Sequence, residues 1–274
     1  MLKLSYSRMA TYQSCQRKFY WVYVRRIVPL SRQLPLEFGT AWHKAMEVWH
    51  RDHNVSTAME AFDASYTDDP NDSKRTRDTA HRMLKLYTER FVDDPFTIVA
   101  HEQWYEIPYP NEVLYRLRID RIINWDGEVK GMEHKTTSSL GFHYLKQFKP
   151  NLQLAGYVKA LQQFVDPAIN KMVMDIALVV KLEPREGERF VRYPETIQPW
   201  ELTEFNEIVM ATADDLEGKG IDFSAYTPNW NACTQYGECA YRALCIAPPS
   251  IREQIIRNQY QLKPEEGVAD VKVK

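Results

Sequence analysis

Apolar residues recur every three or four positions through residues 5–91, alternate every second position from about Thr97, and then return to the longer period. The first stretch predicts a helix from a Ser5 or Ser7 cap to about Arg26, ended by the break from Pro29 to Pro35. A second helix over Glu37–His53 carries Phe38, Trp42, Ala45 and Trp49 on one stripe. Two more are expected over Ser56–Tyr66 and Ser73–Phe91, parted by the turn-forming Asp68-Asp69-Pro70-Asn71-Asp72. The alternating region predicts strands over Thr97–Pro108, Val113–Trp125 and Glu128–Thr136, with a turn at Asp126-Gly127. In the middle one, Val113, Tyr115, Leu117 and Ile119 face one way, and Arg116, Arg118 and Asp120 the other. A helix over Pro150–Phe164 buries Leu154, Val158, Leu161 and Val165. Lys171–Leu182 reads as an interior strand with Glu188–Tyr193 beside it, and Pro199–Glu217 as the last long helix. The charged tail after Gln261 is expected to be loose. The order of elements describes an α/β core with an N-terminal helical addition.

The 274 residues suffice for one large domain or two small ones. No run approaches the roughly eighteen apolar residues of a membrane span. Met1-Leu2-Lys3-Leu4-Ser5 has no apolar core of a secretion signal. A cytoplasmic protein is expected, with no membrane partner. The formal net charge of −2 decides little, but its distribution does more: residues 1–51 hold nine Lys or Arg against Glu37 and Glu47. Such an excess suits a polyanion. It equally suits a solvated helix face whose compensating acids lie elsewhere.

Four cysteines bracket the chain: Cys15, then Cys233, Cys239 and Cys245. In a protein that is not exported, thiols serve metal binding more readily than disulfides. Four thiolates suit zinc or an iron–sulfur cluster. Cys15 also lies on an apolar stripe with Tyr12, Phe19 and Val22, where plain core packing would explain it. The other three crowd a short segment without apolar periodicity, which packing does not explain.

Asp120 and Glu133-His134-Lys135 carry the clearest chemistry. Glu133 and Lys135 are two apart on a strand and share a face, and Asp120 on a neighbouring strand can aim into the same space. Two carboxylates beside a lysine suit a hard divalent cation, Mg²⁺ or Mn²⁺. Such an ion makes hydroxide near neutral pH and stabilises charge on a phosphodiester in flight. A surface ion pair across a hairpin is the plainer reading of so short a pattern. Further along, Gln153 and Tyr157 lie one helical turn apart, and upstream His43 in Gly39-Thr40-Ala41-Trp42-His43 points away from the Trp42 stripe.

Together and in this order, these landmarks resemble the RecB-type branch of the PD-(D/E)XK nucleases. The resemblance runs from the opening Ser5–Tyr20 through Gly39–His43, Ile119-Asp120-Arg121, Glu133–Thr136 and Gln153–Tyr157, and spans about residues 4–248. The branch includes the RecB and AddB nuclease domains, CRISPR-associated adaptation nucleases, exonuclease V and phage exonucleases. Its iron–sulfur subset has one cysteine in the opening helix and three near the C-terminus. The resemblance implies a restriction-endonuclease-like core, a central mixed sheet flanked by helices, with the Cys-rich segment closing on the N-terminal helix. It implies a single nuclease domain over 1–248: a helical part (1–95), the core (96–218) and a cluster-binding segment (219–248), with a C-terminal helix and tail over 249–274.

Carried onto this chain, it implies that His43, Asp120 and Glu133 hold the metal, with the main chain at His134 as a further ligand. Lys135 would orient the attacking water, and Gln153 and Tyr157 would contact DNA or organise the site. Cys15, Cys233, Cys239 and Cys245 would hold a [4Fe–4S] cluster, with Zn²⁺ as the alternative. Glu102 and Glu47 are candidates for a supporting role around the metal. The implied activity is that of a Mg²⁺- or Mn²⁺-dependent DNA exonuclease preferring single strands, in recombination, repair, phage DNA metabolism or CRISPR adaptation, alone, as a homo-oligomer or within a larger complex. Arg8, Arg17, Lys18, Arg25 and Tyr157 are the candidate DNA contacts, with Trp21, Tyr23 or Trp42 available for stacking, although core packing explains such large aromatics more readily. Two features depart from the pattern. Five residues separate Cys233 from Cys239, where better-known members have a shorter gap, and Gln16 replaces the usual proline. The long gap does not suit paired zinc cysteines either. The alternatives are a non-catalytic DNA-binding or assembly subunit that kept the fold, and a zinc-stabilised interaction protein. The intact Asp120, Glu133 and Lys135 argue against the first, and the second would make the His43 and Gln153–Tyr157 matches a coincidence.

Overall fold

A computed structural model describes residues 1–182, 184, 188–235 and 237–263. Residues 264–274, most of the expected loose tail, lie outside the described residues. The chain opens with β1 (Leu2–Leu4) and α1 (Tyr6–Ser14), whose first turn is capped by the Ser5 hydroxyl accepting from the Arg8 N–H. The single helix expected to Arg26 is interrupted. Cys15 is extended, α2 (Gln16–Phe19) restarts the helix, and Tyr20–Val24 form a π-helical turn. The break has a local cause: Asn229 donates its side-chain amide to the Ser14 carbonyl at 2.9 Å and its N–H to Cys15 Sγ at 3.3 Å.

After β2 (Ile27–Pro29), α3 (Leu34–Asp52) starts three residues before the expected Glu37, because Pro35 occupies the first turn, where its missing N–H costs nothing. Asn54 caps α4 (Val55–Asp63) and Thr76 caps α5 (Arg77–Arg90). The latter begins later than Ser73 because the Asp72 carboxylate takes the N–H groups of Lys74 and Arg75, at 3.0 and 3.1 Å. Next come β3 (Phe96–Tyr109), β4 (Val113–Trp125) and β5 (Glu128–Thr137). A short α6 (Phe142–Leu145) and a 3-10 turn over Lys146–Phe148, unforeseen in the sequence, lead to α7 (Leu152–Phe164). Val165 falls just past the end of α7 and is exposed, not buried. The chain continues through β6 (Lys171–Leu178), β7 (Phe190–Thr196) and α8 (Pro199–Glu217). It closes with α9 (Arg242–Ile246), α10 (Pro249–Gln259) and β8 (Tyr260–Leu262).

Two compact units form. One draws on residues 33–105 and 117–205, the other on 1–32, 106–116 and 206–274. In the first, β3 pairs with β4, β4 with β5 antiparallel, β5 with β6 parallel and β6 with β7 antiparallel. This is the central mixed sheet. Helices α3, α4 and α5 cover it through Phe38, Trp42, Phe62, Met83 and Tyr87, which pack with Ala177 and Phe190. Each such aromatic contributes on the order of 2 kcal/mol by leaving water. Against the same sheet lies α7, so close that a Cβ on Gly131 would meet Met172 Cε at 2.7 Å and Leu161 Cδ1 at 3.1 Å.

In the second unit, β1 runs parallel to the start of β4, and β2 pairs antiparallel with β8. The segment bearing three cysteines closes on the opening helices. Arg17 donates its N–H to the Thr227 carbonyl at 3.1 Å and its Nε to the Tyr226 carbonyl at 2.7 Å. Among the described residues no helix is long and apolar enough to cross a membrane.

Candidate active site

The antiparallel register that sets Arg121 opposite Met132 brings Asp120 beside Glu133 one step further along. Both are buried. His134, between Glu133 and Lys135, donates its backbone N–H to Asp120 Oδ2 at 2.8 Å. The same oxygen lies 3.3 Å from His43 Nδ1. Gly39 makes that approach possible, since a Cβ there would already meet Thr136 Oγ1 at 3.3 Å. Lys135 Nζ donates to Glu133 Oε1 at 2.7 Å and to Gln153 Oε1 at 3.0 Å. Gln153 Nε2 in turn donates to Glu133 Oε1 at 3.0 Å and to the Tyr157 hydroxyl at 2.7 Å. All six sequence-derived residues of this group therefore converge.

The electrostatics follow from burial and crowding. Burial raises the Glu133 carboxyl above its ordinary value, and the Asp120 charge adds to this, against Lys135 and His43. Asp120 is held well below the usual carboxylate range: burial opposes ionisation, but His43 and the His134 N–H outweigh it. Burial alone would depress His43; the Asp120 charge raises it. Lys135 is likewise raised by Glu133 against burial. Glu102, at φ +46° in the middle of β3, is pushed up to about 7 by burial and by Asp120.

The His134 ring turns away from this space. Its Nε2 meets Arg121, and its Nδ1 lies 3.2 Å from Asp175 Oδ2, in a buried network with Tyr87 and Arg192. Only the main chain of His134 is thus left for a metal. Sequence reading missed this network. Its signal was Asp175, the one charge inside the apolar run Met172–Leu178.

Among the described residues no three His, Cys, Asp or Glu side chains are already gathered as a bound metal ion gathers them. The residues nevertheless fit a hard cation. Two carboxylates and an imidazole supply oxygen and nitrogen donors, and Glu133 Oε2 is buried without a hydrogen-bond partner. The four cysteines are reduced and half-buried, and all lie in the second unit. Burial and the neighbouring Cys239 and Cys15 push the Cys233 thiol up. Burial, Cys15 and Cys239 do the same to Cys245, opposed by Trp21 and Arg17. Cys233 thus senses Cys239 and Cys15, and Cys245 senses Cys15 and Cys239, but among the described residues the four thiols are not gathered as a metal site gathers them.

The candidate DNA contacts have protein partners. Arg25 pairs with Glu253 at 2.9 Å, Arg8 covers the Tyr23 ring and Arg17 the Phe223 ring. Lys18 is half-exposed, and Tyr157 is buried beneath Gln153. Trp21 and Trp42 cannot stack on a base: Trp21 is packed against Tyr20 and Phe223, Trp42 against Tyr87 and Phe190, and both are buried.

Residues 3–246 match the model of the PD-(D/E)XK nuclease superfamily, and the chain belongs to that superfamily. No curated protein matches the sequence. Among solved structures, a protein of Eubacterium rectale described as a "putative exonuclease" is similar at 9% identity over 85% of each chain, with a TM-score of 0.51. An alkaline exonuclease from Laribacter hongkongensis matches at 10% identity over 67% of this chain and 93% of that one, with a TM-score of 0.34. At such identities likeness speaks to the fold alone, and of these two scores only the first is high enough to do so.

Proposed function

We propose that this protein is a RecB-type, Mg²⁺- or Mn²⁺-dependent deoxyribonuclease acting on DNA ends, with single strands preferred. The observation that carries the reading is the convergence of Glu133, Lys135 and Gln153 in one hydrogen-bonded set beside Asp120 and His43, with Glu133 Oε2 left unpartnered. Asp120, Glu133 and His43, with the His134 carbonyl, would hold the cation. When bound, the cation would polarise the phosphodiester and lower the pKa of water.

The chain's own residues do the rest. Lys135 is held cationic by Glu133 and can orient a water and offset charge developing on the phosphate. Gln153 fixes the spacing of Glu133 and Lys135 through both ends of its amide. Tyr157 anchors Gln153 from below and stays protonated, its hydroxyl raised far above its ordinary value by burial and then by Glu133. His43 and the His134 N–H keep Asp120 ionised.

Cys15, Cys233, Cys239 and Cys245 would hold a [4Fe–4S] cluster with a structural role, fastening the opening helices to the C-terminal segment of the same unit. Their place in one unit and their resemblance to the family's cysteine pattern are what support a four-thiolate centre, with iron favoured over zinc by the spacing.

The test is cleavage of end-labelled single- and double-stranded DNA by protein purified without air, with Mn²⁺, Mg²⁺ or chelator, beside Asp120→Ala. Metal-dependent shortening from the ends by wild type alone is the expected result. Equal activity, or equal inertness, of the two proteins refutes the assignment. Iron content and visible absorbance of the same sample decide the cluster: a colourless, zinc-loaded preparation removes it.

A further inference from the structure

Two exposed aromatic rings carry a cation on one side and connect to the carboxylate site. Phe142, at the start of α6, is 69% exposed, and Lys146 Nζ lies 4.3 Å from its ring centroid. Trp104, on β3, is 38% exposed, with the Arg118 guanidinium 5.5 Å from its centroid. Single exposed apolar residues are common and need no explanation. These two differ in what stands behind them.

The segment bearing Phe142 follows β5 directly. Its connecting turn is tied by the Thr137 hydroxyl, which donates to the Ser139 carbonyl at 2.9 Å and accepts the Ser139 N–H at 3.2 Å. Phe148 is buried, and the Tyr144 ring lies edge-on against it at 5.6 Å. So one side of this segment is anchored, and Phe142, His143 and Lys146 are left in solvent. On the other pair, Arg118 Nε is 2.8 Å from Glu102 Oε2, and Arg118 lies two residues before Asp120, on the same face of β4.

We infer that Phe142 and Trp104 are stacking platforms for unpaired bases flanking the phosphate bound at Asp120 and Glu133. The inference deepens the nuclease reading and rests on it. A base has a π-face whatever its identity, so stacking holds a single strand without reading sequence. Lys146 supplies positive charge that attracts a strand's backbone, while Arg118 is paired with Glu102 and braces the Trp104 ring. In a blunt duplex every base inside the terminal pair is already stacked on both sides, so no internal base has a face to offer. The pairs thus account for a single-strand preference that the carboxylates alone would not produce.

The test is equilibrium binding to Glu133→Gln protein, which leaves the DNA uncut. The probes are fluorescein-labelled oligo(dT), the same strand carrying abasic sites, and a blunt duplex. Adding Phe142→Ala or Trp104→Ala is expected to weaken oligo(dT) binding roughly 5- to 150-fold, while Phe142→Tyr retains it and duplex binding stays within about two-fold. Glu133→Gln protein should bind the abasic strand as weakly as the alanine variants bind oligo(dT). No loss from the alanines, or an equal loss on oligo(dT) and duplex, overturns the inference. Cleavage assays separate this from the parent reading: wild type and Glu133→Gln cutting DNA equally would sink the nuclease assignment whatever the binding shows.

Discussion

Lys135 Nζ neutralises Glu133 Oε1 from 2.7 Å, while the other oxygen of that carboxylate is buried with no hydrogen-bond partner. A half-satisfied buried acid costs stability until something positive arrives. Mn²⁺ or Mg²⁺ should therefore raise the thermal midpoint of the protein. At a hundred-fold excess over Kd the gain is about 2.7 kcal/mol, or roughly 5–10 °C at the per-degree sensitivity of a chain this size. Scanning calorimetry with and without the ion measures it. An equal rise in Glu133→Gln would place the ion elsewhere.

Gln153 holds both Glu133 and Lys135 with one amide. Gln153→Leu should keep the fold and lower kcat about 10- to 100-fold, as removing a partner that orients a ligand does. Lys135→Met should cost more, about 100- to 1,000-fold. Single-turnover cleavage rates rank the two. A Gln153 variant slower than the Lys135 variant would reverse the roles assigned here.

Asp175 is the acid between the buried bases His134 and Arg192, and Tyr87 donates to it. Asp175→Ala should destabilise by about 3–5 kcal/mol, because it takes a nearby acid from the buried Arg121 and the acceptor from Tyr87 and His134, although Arg192 keeps Asp94. Tyr87→Phe should cost only about 1–3 kcal/mol. Urea midpoints at constant m-value decide, and a neutral Asp175→Ala would mean that the network contributes little.

Glu102 titrates at about 7 in the folded chain, raised by burial and then by Asp120. Its unfolded value is near 4.3. Between those values the folded state binds more protons than the unfolded one, so this group's contribution to stability falls as pH rises through that window. In chelator, wild type should lose stability relative to Glu102→Gln from pH 5 to pH 8, by on the order of 2 kcal/mol. A difference that stays flat with pH would show that Glu102 titrates normally.

Much of this was legible in the sequence. The stripe Phe38–Trp42–Trp49 and the alternation Val113–Ile119 located a helix and a strand, because each buries one face and its period records that. Strand parity set Asp120, Glu133 and Lys135 toward one space, while His43, Gln153 and Tyr157, each weak alone, were joined to them by the order of the family's landmarks. What escaped depended on contacts distant in sequence. The break at Cys15 is made by Asn229, and the late start of α5 by Asp72 competing for backbone N–H groups. Helical periodicity records neither. Trp21 and Trp42 took the core-packing alternative, which their size already favoured over stacking on a base.

The unit that holds the cysteines is assembled from residues 1–32, 106–116 and 206–274. Its opening helix therefore leaves the ribosome long before Tyr226, Thr227 and Asn229, the residues that complete it. Until then Tyr12, Phe19 and Trp21 lack their packing partners, and Cys15 waits without the other three thiols. Pairing across such a sequence separation is slow, since closing the long loop must precede any reward. Synthesis order thus lets this unit close only after residue 229 has been made, well after its opening helices.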